Sequence, residues 1–279
     1  MKAVLLQLAF LFFWALPLHA VEVELPGEVG RGEPFWVELK SQEKPLGIKV
    51  SWMDNIFAVP VDLPGTQKIL LGAGLERQGE YPLELKFYWE EHQKKERYQV
   101  QVKDKEYPEQ HISLPEEMVT PPEEVWDRIA REREKLGSVL SSLTMERYWD
   151  GDFARPVSGE ISSPFGVQRY LNGEPRSAHK GVDLRGDKGT QVSAAAKGRV
   201  VLIGNFYFGG KTVVLDHGQG IYSLYMHLNS VRVRENEFVE QNQAVGEVGM
   251  TGRATGPHLH LGVYVLGEPV DPMYLLNAE

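Results

Sequence analysis

The sequence predicts a mainly β protein, built as two β units joined by a helical connector. Three observations predict this. Apolar residues alternate at period two over 21–103, and β-type runs return over 155–279. The 28 Gly and 17 Pro supply many turns. Only 104–154 carries apolar residues at helical spacing. At 279 residues the chain is long for one domain and comfortable for two. A composition 42% hydrophobic and 25% charged excludes a mainly disordered chain. A formal net charge of -9 argues against a nucleic-acid binder that relies on phosphate contacts. With no Cys, disulfides, thiolate zinc sites, iron–sulfur clusters and cysteine nucleophiles are excluded, so any metal must be held by His, Asp or Glu.

Residues 1–20 read as a secretory signal peptide. Lys2 is the positive n-region, Ala3 to Leu16 is almost wholly apolar, and Pro17-Leu18-His19-Ala20 ends in a small residue. The apolar run is shorter than the ~20 residues that span a bilayer. Cleavage is therefore expected rather than anchoring, giving an exported chain of the periplasm or cell envelope with no stable membrane insertion. Residues 21–103 carry stripes at Phe35/Val37/Leu39, Ile48/Val50/Trp52, Leu83/Leu85/Phe87/Trp89 and Tyr98/Val100/Val102. Short alternating strands with Gly, Pro and charged punctuation predict an immunoglobulin-like β-sandwich. Gly79-Glu80-Tyr81 fits the tyrosine corner of such folds. No cluster of catalytic residue types occurs there, so a spacer or binding module is expected. Residues 104–154 form a proline-rich and helical connector. Thr120 is placed to cap a helix whose first turn holds Pro121, Pro122, Glu123 and Glu124. Val125, Trp126, Ile129, Leu136, Val139, Leu140 and Leu143 then form its core stripe. In 155–279, strands are expected near 159–162, 198–203, 211–216, 221–228, 246–249 and 258–265.

The eight His fall into two groups. His19 lies in the signal, His92 in a charged turn, His111 in the connector, and His217 in the hairpin-like Asp216-His217-Gly218-Gln219-Gly220. A structural reading suits these four. In 258–265, Leu259, Leu261, Val263 and Val265 take one face, and His258, His260, Gly262 and Tyr264 the other. Gly262 is expected to leave room beside His260. In 221–228, His227 alternates away from Tyr222, Leu224, Met226 and Leu228. His179 and Asp183 stand in Ser177-Ala178-His179-Lys180-Gly181-Val182-Asp183-Leu184. In a fully extended strand they would be ~13 Å apart. Gly181 argues for a loop bending into a strand, where imidazole and carboxylate can converge on one ion.

Zinc chemistry fits these residue types. A catalytic zinc takes three N or O ligands and keeps one position for water. The metal acidifies that water and polarises a carbonyl, a base takes the proton, and a donor stabilises the oxyanion. A purely structural zinc would instead hold a fourth protein ligand.

At these residues the chain resembles the lysostaphin-type, or LytM-like, zinc metalloendopeptidases of bacterial cell walls, over about 155–279. The pieces are Ile161-Ser162-Ser163-Pro164-Phe165-Gly166, His179-Lys180-Gly181-Val182-Asp183, Tyr225-Met226-His227-Leu228, and Thr251-Gly252-Arg253-Ala254-Thr255-Gly256-Pro257-His258-Leu259-His260. The resemblance implies Zn2+ held by His179, Asp183 and His260, with His227 and His258 catalytic. It implies an antiparallel β metallopeptidase domain of barrel-sandwich type, a duplicated hybrid motif, with Ala194 to Val201 and Val239 to Val248 as its repeat. The implied activity is hydrolysis of peptide cross-links between peptidoglycan peptide stems, with D-alanyl–diaminopimelate bonds preferred over glycyl–glycine. The alternatives are a non-catalytic LytM-like regulator of cell-wall amidases and a wall-binding module built on the sandwich. No protein partner is specified. His258 is read as the base and His227 as the oxyanion donor, roles that can be exchanged.

Overall fold

The structure, a computed structural model, describes residues 21–113 and 116–276, with backbone alone for Glu117 and Met118. The expected signal at residues 1–20, His19 included, lies outside the described residues. Strand makes up 49% of the described residues. None of the helices among the described residues is long and apolar enough to cross a membrane.

The N-terminal unit has two sheets. One orders Val21–Glu24, Pro34–Ser41 and Gly65–Gly72; the other orders Glu28–Gly30, Gln93–Lys103, Gly79–Tyr88, Gly47–Trp52 and Asn55–Val59. The alternating stripes explain the pairing. Val37, Leu39, Ile69 and Leu71 from the first sheet share one core with Val50, Trp52, Leu83, Leu85, Phe87 and Val100 from the second. The buried Trp52 indole satisfies its N–H on the Gly72 carbonyl at 2.8 Å, which ties the two sheets together.

The helix of the connector starts later than the sequence suggests. Thr120 closes a single turn, Glu116–Val119, by donating its N–H to the Glu116 carbonyl at 2.8 Å. A residue before proline is pushed out of the helical region, and Pro122 is extended, with ψ 152. The chain therefore re-enters helix only through Glu123–Val125, and Trp126–Leu140 has Val125 rather than Thr120 at its N-cap. Ile129 and Leu140 are buried, while Trp126 and Leu143 are exposed and fall outside the stripe expected for them. Before this helix, Glu109–Ile112 forms a short strand that the sequence reading passes over. It pairs in parallel with Gln168–Leu171, which also pairs with Glu174–Pro175.

The C-terminal unit is centred on one antiparallel sheet. Its order is Ile161–Ser163, Val182–Arg185, His258–Val265, Ile221–Leu228, Gly210–Gly218, Gly198–Phe206 and Phe238–Val239, and Glu268–Val270 also pairs with His258–Val265. A smaller sheet orders Gln191–Ser193, Ala244–Glu247 and Ser230–Val231. Leu259, Leu261, Val263 and Val265 enter the main core together with Val192, Val245 and Val213. Trp149 and Phe153, read as connector, also pack into this core. On the opposite face, Tyr222 and Leu224 pack with Leu140, and Tyr264 packs against that group, so the long helix covers one end of this face. The other end of the same face carries the histidines. The N-terminal unit docks through Trp36 against Trp149, ring centroids 5.7 Å apart, and through Arg77 Nε, 2.7 Å from Glu268 Oε1.

Candidate active site

Three donor atoms meet where two adjacent strands pass each other. Asp183 is directly opposite His260 in the register of Val182–Arg185 and His258–Val265. His179 comes from the loop before that pair. Its backbone is pinned by its own N–H to the Val167 carbonyl at 2.9 Å and by the Gly166 N–H on its carbonyl at 2.8 Å. The chain bends at Gly181 as expected, and no side chain fits there. A Cβ at Gly181 would stand 2.4 Å from the Leu261 carbonyl oxygen and 2.8 Å from His260 Nε2. Gly181, and not Gly262, therefore makes the room beside His260. At Gly262 a Cβ would meet only ordinary contacts at 3.4 Å and beyond, none of them to His260.

The contacts are short and mutual. His179 Nε2 lies 3.0 Å from Asp183 Oδ1, His260 Nδ1 lies 2.8 Å from the same oxygen, and the two ring nitrogens are 2.9 Å apart. The Pro164 carbonyl is 2.8 Å from His179 Nδ1 and can only accept, so that nitrogen carries the proton and Nε2 is bare. One proton on His260 Nδ1 could serve two of the three edges. The third edge would still set a bare nitrogen against a carboxylate oxygen at 3.0 Å, in a site where His179 and Asp183 are buried. A cation at the centre resolves all three edges at once, and one N,N,O donor set is what zinc takes at about 2.0–2.2 Å per ligand. The residues therefore fit a divalent metal, and these three form the candidate metal-holding group among the described residues. Burial pushes the Asp183 carboxyl up, but His179 and His260 hold it well below the usual carboxylate range. Burial also pushes the His260 imidazole down.

Two further imidazoles face the same place. His258 Nδ1 donates to the Gly256 carbonyl at 2.8 Å, which leaves Nε2 bare and 3.8 Å from Asp183 Oδ1. His227 Nδ1 donates to the Thr251 carbonyl at 2.8 Å, again leaving Nε2 bare. The His227 and His258 rings are 4.8 Å apart. His227 does not continue the alternation read from the sequence. Lys211 pairs with Leu228 and Val213 with Tyr225, so Met226 and His227 together oppose Thr212 as a bulge. His227 has φ 63, a left-handed conformation that costs a non-glycine residue about 1–2 kcal/mol. Its own N–H holds it there, on the Gly209 carbonyl at 2.8 Å. Leu228 thereby rejoins the main core, and His227, 8% exposed, turns toward His258. Burial, followed by the His260 and His258 rings, pushes His227 down to about 3.

The sequence reading missed Arg169. Its guanidinium donates to Asp183 Oδ2 at 2.6 Å and to Ser163 Oγ at 3.0 Å. The second carboxylate oxygen is thus occupied, and the first is left facing the two imidazoles. A signal was available in principle: a buried carboxylate needs a partner for its second oxygen, and Arg169 follows the Pro164-Phe165-Gly166 turn. A cavity of about 190 Å³ opens over these groups, lined by Asp183, His227, His258, Arg169 and Arg253. Gln110 and Ile112 of the connector strand form part of its wall. A second cavity of about 560 Å³ continues past His258, Thr255 and Ser162 toward Arg185 and Asp187.

Comparison with known proteins matches this geometry to a family. Residues 177–272 fit the pattern of peptidase family M23, a span that holds His179, Asp183, His227, His258 and His260. The chain carries an M23 peptidase domain. A DD-carboxypeptidase/endopeptidase, Mpg, of Neisseria meningitidis serogroup B is 37% identical over 117 residues, 42% of this chain and 27% of that protein. The peptidoglycan DD-endopeptidase ShyA of Vibrio cholerae is 39% identical over 114 residues, 40% of this chain and 26% of that protein. The aligned part spans about a quarter of these curated relatives. A crystal structure from Pseudomonas aeruginosa, described as a peptidase M23, superposes with a TM-score of 0.66 at 28% identity. It covers 86% of this chain and 92% of that one, so the likeness extends beyond the M23 domain into the N-terminal part.

Proposed function

We propose that this protein is an exported zinc metalloendopeptidase that hydrolyses peptide cross-links of bacterial peptidoglycan in the cell envelope, D-alanyl–diaminopimelate bonds in particular. The observation that carries the reading is the convergence of His179 Nε2, Asp183 Oδ1 and His260 Nδ1 within 3.0 Å of one another, with two more imidazoles at the same groove. The DD-endopeptidase names of the relatives support the substrate class.

In this reading His179, Asp183 and His260 hold the metal. Bound there, zinc supplies Lewis acidity toward water and the scissile carbonyl. The other steps belong to the chain. Arg169 fixes the Asp183 carboxylate so that one oxygen is committed to the site. His258 presents a bare Nε2 and takes a proton from the attacking water. His227 presents the same tautomer, because Thr251 accepts from its Nδ1. The ring that has taken the water's proton at Nε2 then donates a hydrogen bond to the developing oxyanion and passes that proton to the leaving amine. The matched tautomers are why the two roles can be exchanged. Residues 21–103 we read as an immunoglobulin-like sandwich. The two-sheet core and the Tyr81 hydroxyl, 3.4 Å from the Gln78 carbonyl upstream, support that reading.

The test is digestion of purified cross-linked muropeptides, followed by mass spectrometry. Monomeric peptides ending in D-alanine are expected, with none when the metal is removed by a chelator. A zinc-loaded chain that releases no monomer from any cross-linked muropeptide would remove the enzymatic reading.

A further inference from the structure

Two guanidiniums line the groove beside the metal donors, and they meet different things. Arg169 is ion-paired with Asp183 and reaches Ser163 through the same nitrogen, Nη2. Arg253 has no carboxylate partner among the described residues. Its guanidinium lies 4.2 Å over the Phe208 ring, and Arg169 and Arg176, both of its own sign, act on it more strongly than Tyr207, which opposes them. Burial and these like charges push it below the usual arginine range. A half-buried cation without a counterion is costly, and the cost is recovered when an anion arrives. The chain as a whole carries a net charge of -9, so this local excess of positive charge runs against the average.

The backbone holds Arg253 in this place. Its N–H donates to the Phe208 carbonyl at 2.8 Å. Gly252 has φ 70, and a Cβ there would come 2.3 Å from the Gly210 nitrogen, so two loops touch backbone to backbone. Phe208 covers a face of the guanidinium. The in-plane N–H groups at its edge stay available, and these are the groups that take a carboxylate bidentately. The same groove holds His258 and His227.

We propose that Arg253 anchors a carboxylate subsite, which takes a free carboxylate of the substrate peptide next to the scissile bond. The inference rests on the peptidase reading and narrows its substrate class. In a cross-link formed on the amine of a diaminopimelate D-centre, the carbon bearing the scissile nitrogen also bears a free carboxylate. A glycyl–glycine bridge has no free carboxylate there. The subsite therefore favours the first kind of bond by chemistry at the groove itself.

The experiment compares two peptides that differ by one group. Both join D-alanine to a diaminopimelate amine; in one the adjacent carboxylate is free, and in the other it is amidated. Binding is measured by calorimetry on the zinc-loaded full chain carrying His258→Ala, with and without Arg253→Gln or Arg253→Lys. The free carboxylate should bind about 10- to 100-fold tighter than the amide when Arg253 is present, the worth of a charge-assisted pair. Arg253→Gln should bring that ratio near one. Arg253→Lys, which keeps charge but loses the fork, should lie between, and it carries the test if the Gln variant fails to fold. Any direct contact of the carboxylate with the metal is common to all these proteins and cancels in the comparison. Equal affinities with Arg253 present, or the same preference in Arg253→Gln, would overturn the subsite. Hydrolysis by the unsubstituted zinc-loaded chain separates the two readings. An Arg253-dependent preference without cleavage of either peptide supports the subsite and removes the peptidase reading. Cleavage of both peptides at equal rates does the reverse.

Discussion

Two groups of buried histidine lie on one sheet and end differently. His217, on Gly210–Gly218, is fully buried, yet both ring nitrogens are served: Nδ1 donates to the Lys197 carbonyl at 2.8 Å, and Nε2 is 2.7 Å from Ser223 Oγ. Ser223 continues to the Tyr225 hydroxyl at 3.0 Å, which accepts from the Ala195 N–H at 2.8 Å. Each donor in that chain meets an acceptor. The group of His179, Asp183 and His260 is also enclosed, but its shortest contacts bring acceptors together. Burial does not separate a structural histidine from a functional one. The balance of donors and acceptors does, because a closed set is finished by protein alone and an acceptor-rich set needs a cation.

The largest expected effect breaks the comparison from the catalytic side. His258→Ala and His227→Ala remove imidazoles that touch the groove without joining the acceptor cluster. Each should keep its metal and lose about 10²–10⁴ in turnover of a cross-linked muropeptide. If either variant keeps unsubstituted turnover, that ring has no part in the chemistry.

A smaller effect sharpens the same contrast in stability. A ligand bound only by the folded state stabilises it by about 4 kcal/mol at a thousandfold excess over Kd. Thermal unfolding of the zinc-loaded chain should therefore occur well above that of the chelated chain. His260→Ala should abolish the difference, and His217→Gln should leave it intact. A zinc-dependent shift that survives in His260→Ala would place the metal elsewhere.

The smallest effect concerns His217 alone. Burial pushes its ring down to about 4, whereas the unfolded chain has the ordinary ~6.5. Between those values the unfolded state binds a proton that the folded state does not. The His217 contribution is therefore present above ~6.5 and lost as pH falls toward 4, with a slope approaching about 1.4 kcal/mol per pH unit. Urea unfolding across that window should be less steep in pH for His217→Gln than for the unsubstituted chain. Equal slopes would mean that the ring is protonated in the folded state.

Much of this contrast is legible in the sequence, and what is hidden has a physical cause. Period-two alternation places Leu259, Leu261, Val263 and Val265 against His258 and His260, because a regular strand carries that information residue by residue. His227 is different, since a bulge at Met226-His227 inverts the parity and no alternation rule contains it. Gly181 shows its bend in sequence, but only the close Leu261 carbonyl and His260 ring show why no side chain fits there. His217 lies near the end of its strand, beside the Gly218-Gln219-Gly220 turn that the sequence marks, and its partners are Lys197, just before Gly198–Phe206, and Ser223 on Ile221–Leu228. Glu109–Ile112 is concealed by flanking prolines and by pairing with a strand some sixty residues later, as Gln168 opposite Glu109 shows. Long-range pairing of this kind leaves little trace in local pattern.

The most direct measurement of the central claim is metal content per chain, by elemental analysis of proteins purified with zinc. The unsubstituted chain, His258→Ala and His217→Gln should each carry about one zinc, and His179→Ala, Asp183→Ala and His260→Ala should carry almost none. Full zinc in any of the last three, or its loss from His258→Ala, would contradict the account.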